Sequence, residues 1–218
     1  MGVFNPVFRP HGSGIPSEPI FFSQETQSIV RESIKLRYRL MPYIYNASYE
    51  NTVYGKPIVI PLFYYHDEKR FEDYSAMYYY GDHLIVAPVV NKGELAKTIE
   101  MPEGIWYDFY NADQYQGGQA YDLELTMDHI PVFVKGGSFI PMLNDYESTD
   151  TYPDQNLYIH YYPSEKNTVS SYSLFEDDGA NAKNLEHQNY QITHFTGSNE
   201  EESIDIQVQT EKAEYKYH

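Results

Sequence analysis

From Pro57 onward the chain is a succession of short β-branched and aromatic runs, each closed by a turn signal. That pattern confines it to a mainly β architecture. Residues 58–65 (IVIPLFYY) lie between Gly55 and the charged turn at 66–70. Residues 84–90 (LIVAPVV) are apolar at every position, as a strand buried on both faces of a sandwich would be. Residues 98–102 and 105–110 alternate around the turn Glu103-Gly104. Runs at 119–125, 132–134 and 138–140 complete the set, and Gly136-Gly137 between the last two reads as a tight hairpin. Seven or eight short strands with frequent turns predict an antiparallel sandwich. The 24 Tyr and 11 Phe of the chain suit such a fold, since aromatic side chains fit a pleated, half-buried surface.

Residues 144–154 are acidic and poor in apolar side chains, which predicts a domain boundary there. Beyond it, the runs 157–162, 170–175, 190–193 and 204–209 alternate like half-exposed strands of a second, smaller β-domain. The motif Phe175-Glu-Asp-Asp-Gly179 does not have EF-hand spacing: counting back from Gly179 puts Leu174 at the first ligand position. It reads as an acidic hairpin turn.

The first 56 residues follow different rules. Pro6 and Pro10 exclude a central strand, and Gly12-Ser-Gly-Ile-Pro16 supplies a turn, so His11 stands on a loop. Ser23 is an N-cap with Glu25 in the first turn. Ile29, Ile34, Arg37, Leu40, Met41 and Ile44 fall near helical spacing, with Arg31, Glu32 and Lys35 on the polar side. Pro42 inside this pattern predicts a kinked helix that continues to about residue 50 and is ended by Gly55 and Pro57.

Several function classes are excluded. A net charge of −17 repels phosphate backbones and anionic membranes. No apolar run reaches membrane-spanning length. The absence of Cys removes thiolate metal sites and disulfides, and the eight His show no paired metal-ligand spacing. There is neither a Gly-rich phosphate loop nor a Gly-x-Ser-x-Gly elbow, and no metal or cofactor is expected.

Four blocks, in order, carry a resemblance. Phe4-x-Pro-x-x-Arg9-x-His11, followed by Glu18-Pro19 and LRYRLMPYIY at 36–45, is similar to the end of the catalytic barrel in glycoside hydrolase family 31. GKPIVIPLF at 55–63, GIWYDF at 104–109 and IPVFVKGGSFIP at 130–141 resemble the blocks that follow in that family of retaining α-glucosidases, α-xylosidases and transglucosylases. The resemblance implies the end of a (β/α)8 barrel over 1–56, a proximal β-sandwich over 57–143 and a distal β-domain over 144–218. It implies that His11 hydrogen-bonds a hydroxyl of the sugar at the cleavage position. A retaining glycosidase needs two carboxyl groups about 5–5.5 Å apart. The family's two aspartates precede the block at Phe4, and no substitute pair stands out here, so no catalytic residue is assigned within the chain.

The chain therefore reads as the C-terminal portion of a retaining α-glucosidase acting on oligosaccharides, inactive by itself. A transglucosylase or an α-xylosidase of the same family is the alternative. The apolar stripe through Ile29, Ile34, Leu40 and Ile44 is expected to pack on barrel elements and, without them, to fold back on the sandwich or self-associate. A helix packed on the following sheet needs no such partner. A reading of another class is a structural or carbohydrate-binding module, with Tyr78-Tyr79-Tyr80, Trp106 and Tyr107 either stacking on sugars or filling the core.

Overall fold

A computed structural model describes residues 2–9, 11–14, 18–144, 156–201 and 203–212. Pro16, Ser17 and nearly all of the acidic stretch 144–154 lie outside the described residues. A 3-10 turn at Gly2–Phe4, an extended segment and a second 3-10 turn at Pro19–Phe21 lead into α1 (Gln24–Arg39). Ser23 caps this helix, its hydroxyl accepting from the Thr26 N–H at 3.2 Å. The expected kink is a full break. Leu40 (φ −81°, ψ 4°) separates α1 from α2 (Met41–Tyr54). Pro42 stands in the first turn of α2, where its missing N–H leaves no bond unmade. Gly55, left-handed at φ 70°, caps the end of α2.

The fold is mainly β, built of antiparallel sheets. The large sheet comprises β1 (Val59–Pro61), β2 (Tyr78–Tyr80), β3 (Leu84–Val86), β5 (Ile105–Asp108), β6 (Gln114–Gln116) and β8 (Val132–Lys135), in the order β1-β2-β3-β8-β5-β6. A second pair, β4 (Ala96–Glu100) and β7 (Ala120–Glu124), is antiparallel. Strand alternation divides the large sheet between two cores. Tyr79, Ile85, Trp106 and Phe133 point to one side, where Ile99, Met101, Tyr121 and Leu123 cover them. Tyr80, Leu84, Val86, Val132 and Val134 point to the other, where Val3, Phe4, Leu40, Tyr43 and Ile44 cover them. The central strands are apolar throughout because both faces are covered. β1 and β3 are shorter than the apolar runs that contain them: residues 62–64 turn into a 3-10 helix, and Pro88, with no N–H, follows β3 closely.

Leu40 and Ile44 follow the alternative of a helix packed on the following sheet. Both are buried against the large sheet, so α2 packs on the sandwich. Gly136-Gly137 corrects the expected hairpin. β8 pairs with β3 and β5, whereas β9 (Ser138–Leu143) pairs with β10 (Leu157–Tyr162). The two glycines therefore make a crossing between sheets. The Gly136 N–H bonds the Ile105 carbonyl in one sheet, and the Gly137 N–H, at φ 87°, bonds the Tyr162 carbonyl in the other, each at 2.7 Å.

The last sheet, β11 (Thr168–Glu176), β12 (Gln191–Asn199) and β13 (Ile204–Lys212), packs Tyr172, Leu174 and Phe195 on Phe139 of β9. A short helix, α3 (Asn184–His187), lies in the connection from β11 to β12. That connection replaces the expected hairpin turn at 175–179. The Asp178 carboxylate accepts the N–H groups of Ala180 and Asn181 and the Asn184 amide, which hold it below the usual carboxylate range. Tyr45 of α2 donates to Asp177 at 2.6 Å. Among the described residues no His, Asp and Glu group is arranged to hold a metal.

Candidate functional site

The segment leading to His11 is anchored at one end and open at the other. Phe4 is 1 % exposed and meets Tyr80 and Phe109 edge to face, with ring centroids at 6.1 and 6.3 Å. Its carbonyl accepts from the Tyr78 hydroxyl at 2.8 Å. The Arg37 guanidinium, one turn from the end of α1, donates to the carbonyls of Gly2, Val3 and Asn5 at 3.0, 3.1 and 2.6 Å, and to that of Pro6 at 3.0 Å. Guanidinium geometry explains why one side chain can reach four carbonyls within five residues: its donors form a rigid planar fork. None of this was legible in the block containing Arg37, because the partners are backbone carbonyls 31–35 residues earlier.

Past Pro6 the segment opens to solvent, although the Phe8 ring still lies against Gly2. Val7 is 83 % exposed, and Arg9, His11, Gly12, Ser13, Gly14 and Glu18 are exposed as well. Ile20 and Phe21 add exposures of 72 % and 65 %. Gln27 ties this loop to the helix by donating to the Ile20 and Phe22 carbonyls. On α1 itself no residue is fully buried, and Ile29, Val30 and Ile34 are half-buried. His11 is thus presented on a held strip beside an apolar helix flank, with no enclosing wall of its own. An imidazole in that position can donate or accept a hydrogen bond from a ligand. Among the described residues no carboxylate is positioned to make it a catalytic base.

Three of the five aromatic residues considered for sugar stacking, Tyr79, Tyr80 and Trp106, are in the core. Trp106 is 0 % exposed, and its indole N–H donates to the Pro102 carbonyl at 2.8 Å. Tyr79 and Tyr80 are buried on opposite faces of the large sheet, and the Tyr107 hydroxyl is engaged by the Pro163 carbonyl at 2.8 Å. Trp106, Tyr79 and Tyr80 present no ring face to a pyranose, while Tyr78 and Tyr107 are half-buried and pack against the core that holds Tyr80.

α2 joins the anchored segment to both β-domains. The Tyr43 hydroxyl, buried and pushed well above its ordinary value by desolvation, donates to the Tyr80 carbonyl at 2.6 Å. Asn46 is buried and accepts the Phe175 N–H at 2.8 Å, while Tyr49 stacks on the Phe175 ring at 4.2 Å. Lys56, after the helix, pairs with Glu50 at 2.9 Å and with Asp82.

Comparison with known proteins matches residues 1–47 to the TIM-barrel domain of the glycosyl hydrolases of family 31 and residues 55–140 to the family's C-terminal domain. An α-xylosidase of Saccharolobus solfataricus is 31 % identical over 179 residues, covering 81 % of this chain and 24 % of its own. Alpha-glucosidase 2 of Bacillus thermoamyloliquefaciens is 29 % identical, covering 82 % and 23 %. Among solved structures, the GH31 dextranase FjDex31A of Flavobacterium johnsoniae, complexed with glucose, superimposes with a TM-score of 0.88 at 33 % identity. That superposition covers 94 % of this chain and 25 % of the dextranase. The chain spans about a quarter of the length of these relatives.

Proposed function

The chain belongs to glycoside hydrolase family 31, and from that membership we propose that it is the C-terminal portion of a retaining α-glucosidase acting on α-glucosides. The observation that carries the reading is the paired match. The barrel match ends inside α2 and the C-terminal match begins at its Gly55 cap, while Ile29, Val30 and Ile34 of α1 are only half-buried and Val7, Arg9 and His11 are exposed. In this reading residues 1–56 close the catalytic barrel, 57–143 form the proximal sandwich and 144–218 belong to the distal β-domain. The nucleophile and acid/base carboxyls belong to the preceding part of the parent protein.

The two carboxyls would form and hydrolyse a glycosyl-enzyme intermediate. This chain supplies a positioning group, His11, as a hydrogen-bonding partner for a hydroxyl of the sugar at the cleavage point. It also supplies a support at the start of that segment, because Arg37 and Tyr78 fix residues 2–6, which lead to His11. The barrel is the partner of the open flank of α1. In its absence, self-association through Ile29, Ile34, Ile20 and Phe21 is expected. The identity to an α-xylosidase supports a second reading, in which the sugar lacks C6.

The test compares the parent protein with residues 1–218 on maltose, an aryl α-glucoside and an aryl α-xyloside. The parent is expected to turn over the glucosides and the isolated chain none of the three. In the parent, His11→Ala should lower kcat/KM by roughly 10–150-fold, the equivalent of a lost hydrogen bond to a strongly polarised group. Turnover by residues 1–218, or an unchanged kcat/KM in the variant, would refute the assignments.

A further inference from the structure

A cleft of about 660 Å³ opens between the two β-domains, beside the Gly136-Gly137 crossing. Its walls are the β2–β3 turn at Asp82 and His83, the end of β8 at Lys135, the residue Tyr65, and the β10–β11 connection at Ser164 and Glu165. Its volume is within the range of small-molecule sites. No lining residue precedes Tyr65, so the cleft is built wholly outside the stretch 1–56 given to the barrel. The crossing contributes bare backbone. A Cβ on Gly137 would stand 2.7 Å from the Ser170 hydroxyl, and one on Gly136 would stand 3.0 Å from the Ile105 carbonyl.

The lining is polar and carries no net charge. Asp82 accepts from the Tyr65 hydroxyl at 2.6 Å and is paired with Lys56, which cancels its charge. The Lys135 ammonium and the Glu165 carboxylate are exposed, and among the described residues neither has a hydrogen bond or an ion pair. Their opposite charges cancel over the cleft as a whole, yet they leave one strong donor and one strong acceptor free. Both imidazoles are neutral at pH 7: burial, with Lys56 and Lys135, pushes His83 down to about 3, and burial lowers His66. The Ser164 hydroxyl is hydrogen-bonded to that of Thr168 and lies 3.5 Å from that of Ser170.

Tyr65 supplies an aromatic wall. It is 42 % exposed, yet its ring is fixed by the hydroxyl bond to Asp82. Tyr64 and Tyr79 meet it at nearly right angles, with centroids at 5.0 and 5.2 Å, and among the described residues no ring stacks on it in parallel. A fixed, half-open ring beside a free cation, a free carboxylate and a group of hydroxyls matches a neutral polyhydroxylated ring. The C–H face of a pyranose suits the aromatic wall, while its hydroxyls can donate to Glu165 and accept from Lys135. A charged ligand would meet a group of its own sign in either case.

We propose that this cleft is a second, non-catalytic carbohydrate site that holds a neutral α-gluco-oligosaccharide, with Tyr65 against a sugar ring and Lys135 and Glu165 bonding its hydroxyls. The neutral-sugar half rests on the residues of the cleft itself; the α-linked glucose half rests on the α-glucosidase reading above.

The experiment is isothermal titration of residues 1–218 with maltotriose, isomaltotriose, cellotriose and inorganic phosphate, repeated on Tyr65→Ala, Lys135→Met and Glu165→Gln. Circular dichroism of each variant accompanies it. The two α-linked trisaccharides are expected to bind one site with a millimolar Kd, as a small neutral ligand with few contacts does. Tyr65→Ala should weaken binding about three- to tenfold, and each charge variant about tenfold. Lys135 and Glu165 have no partner in the fold to lose, so their variants report on binding even if Tyr65→Ala is poorly folded. No binding of either α-linked trisaccharide at about 10 mM would overturn the proposal without reference to any variant. So would binding that Lys135→Met and Glu165→Gln leave unchanged. Inorganic phosphate bound as tightly as the sugars would overturn the neutral-sugar half, and cellotriose bound as tightly would overturn the α-linked half alone. Turnover by the parent is read separately. Hydrolysis of α-glucosides there, with no binding here, overturns only this site; binding here, with no hydrolysis there, overturns only the α-glucosidase reading and the α-linked half that rests on it.

Discussion

Replacing Arg37 with methionine keeps the apolar stem and removes the guanidinium that binds the carbonyls of Gly2, Val3, Asn5 and Pro6. Nη1 has two hydrogens for three close carbonyls, so at most two of its bonds are fully formed, with one more from Nη2. Hydrogen bonds to a charged donor contribute about 1.5–3 kcal/mol each, and the lower end applies at a partly exposed site. Three bonds would then give about 4–5 kcal/mol if the segment stays in place. If the segment 2–6 detaches instead, the burial of Val3 and Phe4 and the Tyr78–Phe4 bond are lost as well, about 4–7 kcal/mol. Five freed residues at about 1 kcal/mol each return about 5 kcal/mol of backbone entropy, so the two routes cost about the same. Arg37→Met should therefore lower stability by about 4–5 kcal/mol. Urea unfolding measures this, and amide exchange of residues 2–6 should rise towards that of an unfolded peptide. A stability change below about 0.5 kcal/mol, with the segment still protected, would refute the clamp.

His83 packs against Tyr43 and Tyr172 and meets the Ser138 hydroxyl at 3.0 Å; burial, with Lys56 and Lys135, pushes its imidazole down to about 3. The unfolded chain takes up a proton below pH 6.5 that the folded chain refuses, so this contribution is complete above pH 6.5 and lost as the pH falls towards 3. With allowance for its partial exposure, stability should drop by about 1 kcal/mol between pH 7 and pH 5 on this account, and His83→Gln should remove that part of the slope in urea titrations. Gly197 in β12 leaves no room for a methyl group: a Cβ would sit 2.6 Å from Tyr161 Cζ and 2.9 Å from Phe139 Cζ. Gly197→Ala should therefore cost about 1–3 kcal/mol by overpacking, and an unchanged thermal midpoint would contradict it.

Local chemistry in the sequence located most strands, the Ser23 cap and the Gly55 stop, because alternation, capping and positive φ act within a few residues. It did not locate partners. Gly136-Gly137 has the composition of a hairpin, yet β8 and β9 separate there because their partners lie elsewhere in the chain. The residues of β2 are consecutive tyrosines, which carry no pattern of their own. Only the register with β1 and β3 shows which ring enters which core. The break at Leu40 was hidden because Pro42 looks alike in a kinked helix and in the first turn of a new one. His11 was legible as a loop residue, and its support was not.

The break at Leu40 has a mechanical consequence for the strip carrying His11. Two helices joined at one residue would act as a hinge if that residue were exposed, but Leu40 is fully buried in the core beneath the large sheet. On one side of the joint Arg37 grips the segment Gly2–Pro6; on the other, Tyr43 is bonded to Tyr80. Rotation at Leu40 would break both sets of bonds and open the core at Phe4. α2 is held in turn from its far side by Asn46 and Tyr49, which contact Phe175 of the last sheet. The placement of residues 2–6 is therefore set by contacts that extend through α2 to β11, 170 residues later in the chain. A β-domain can thus determine where the segment 2–6 stands without touching it, and packing on both faces of one helix is how it does so.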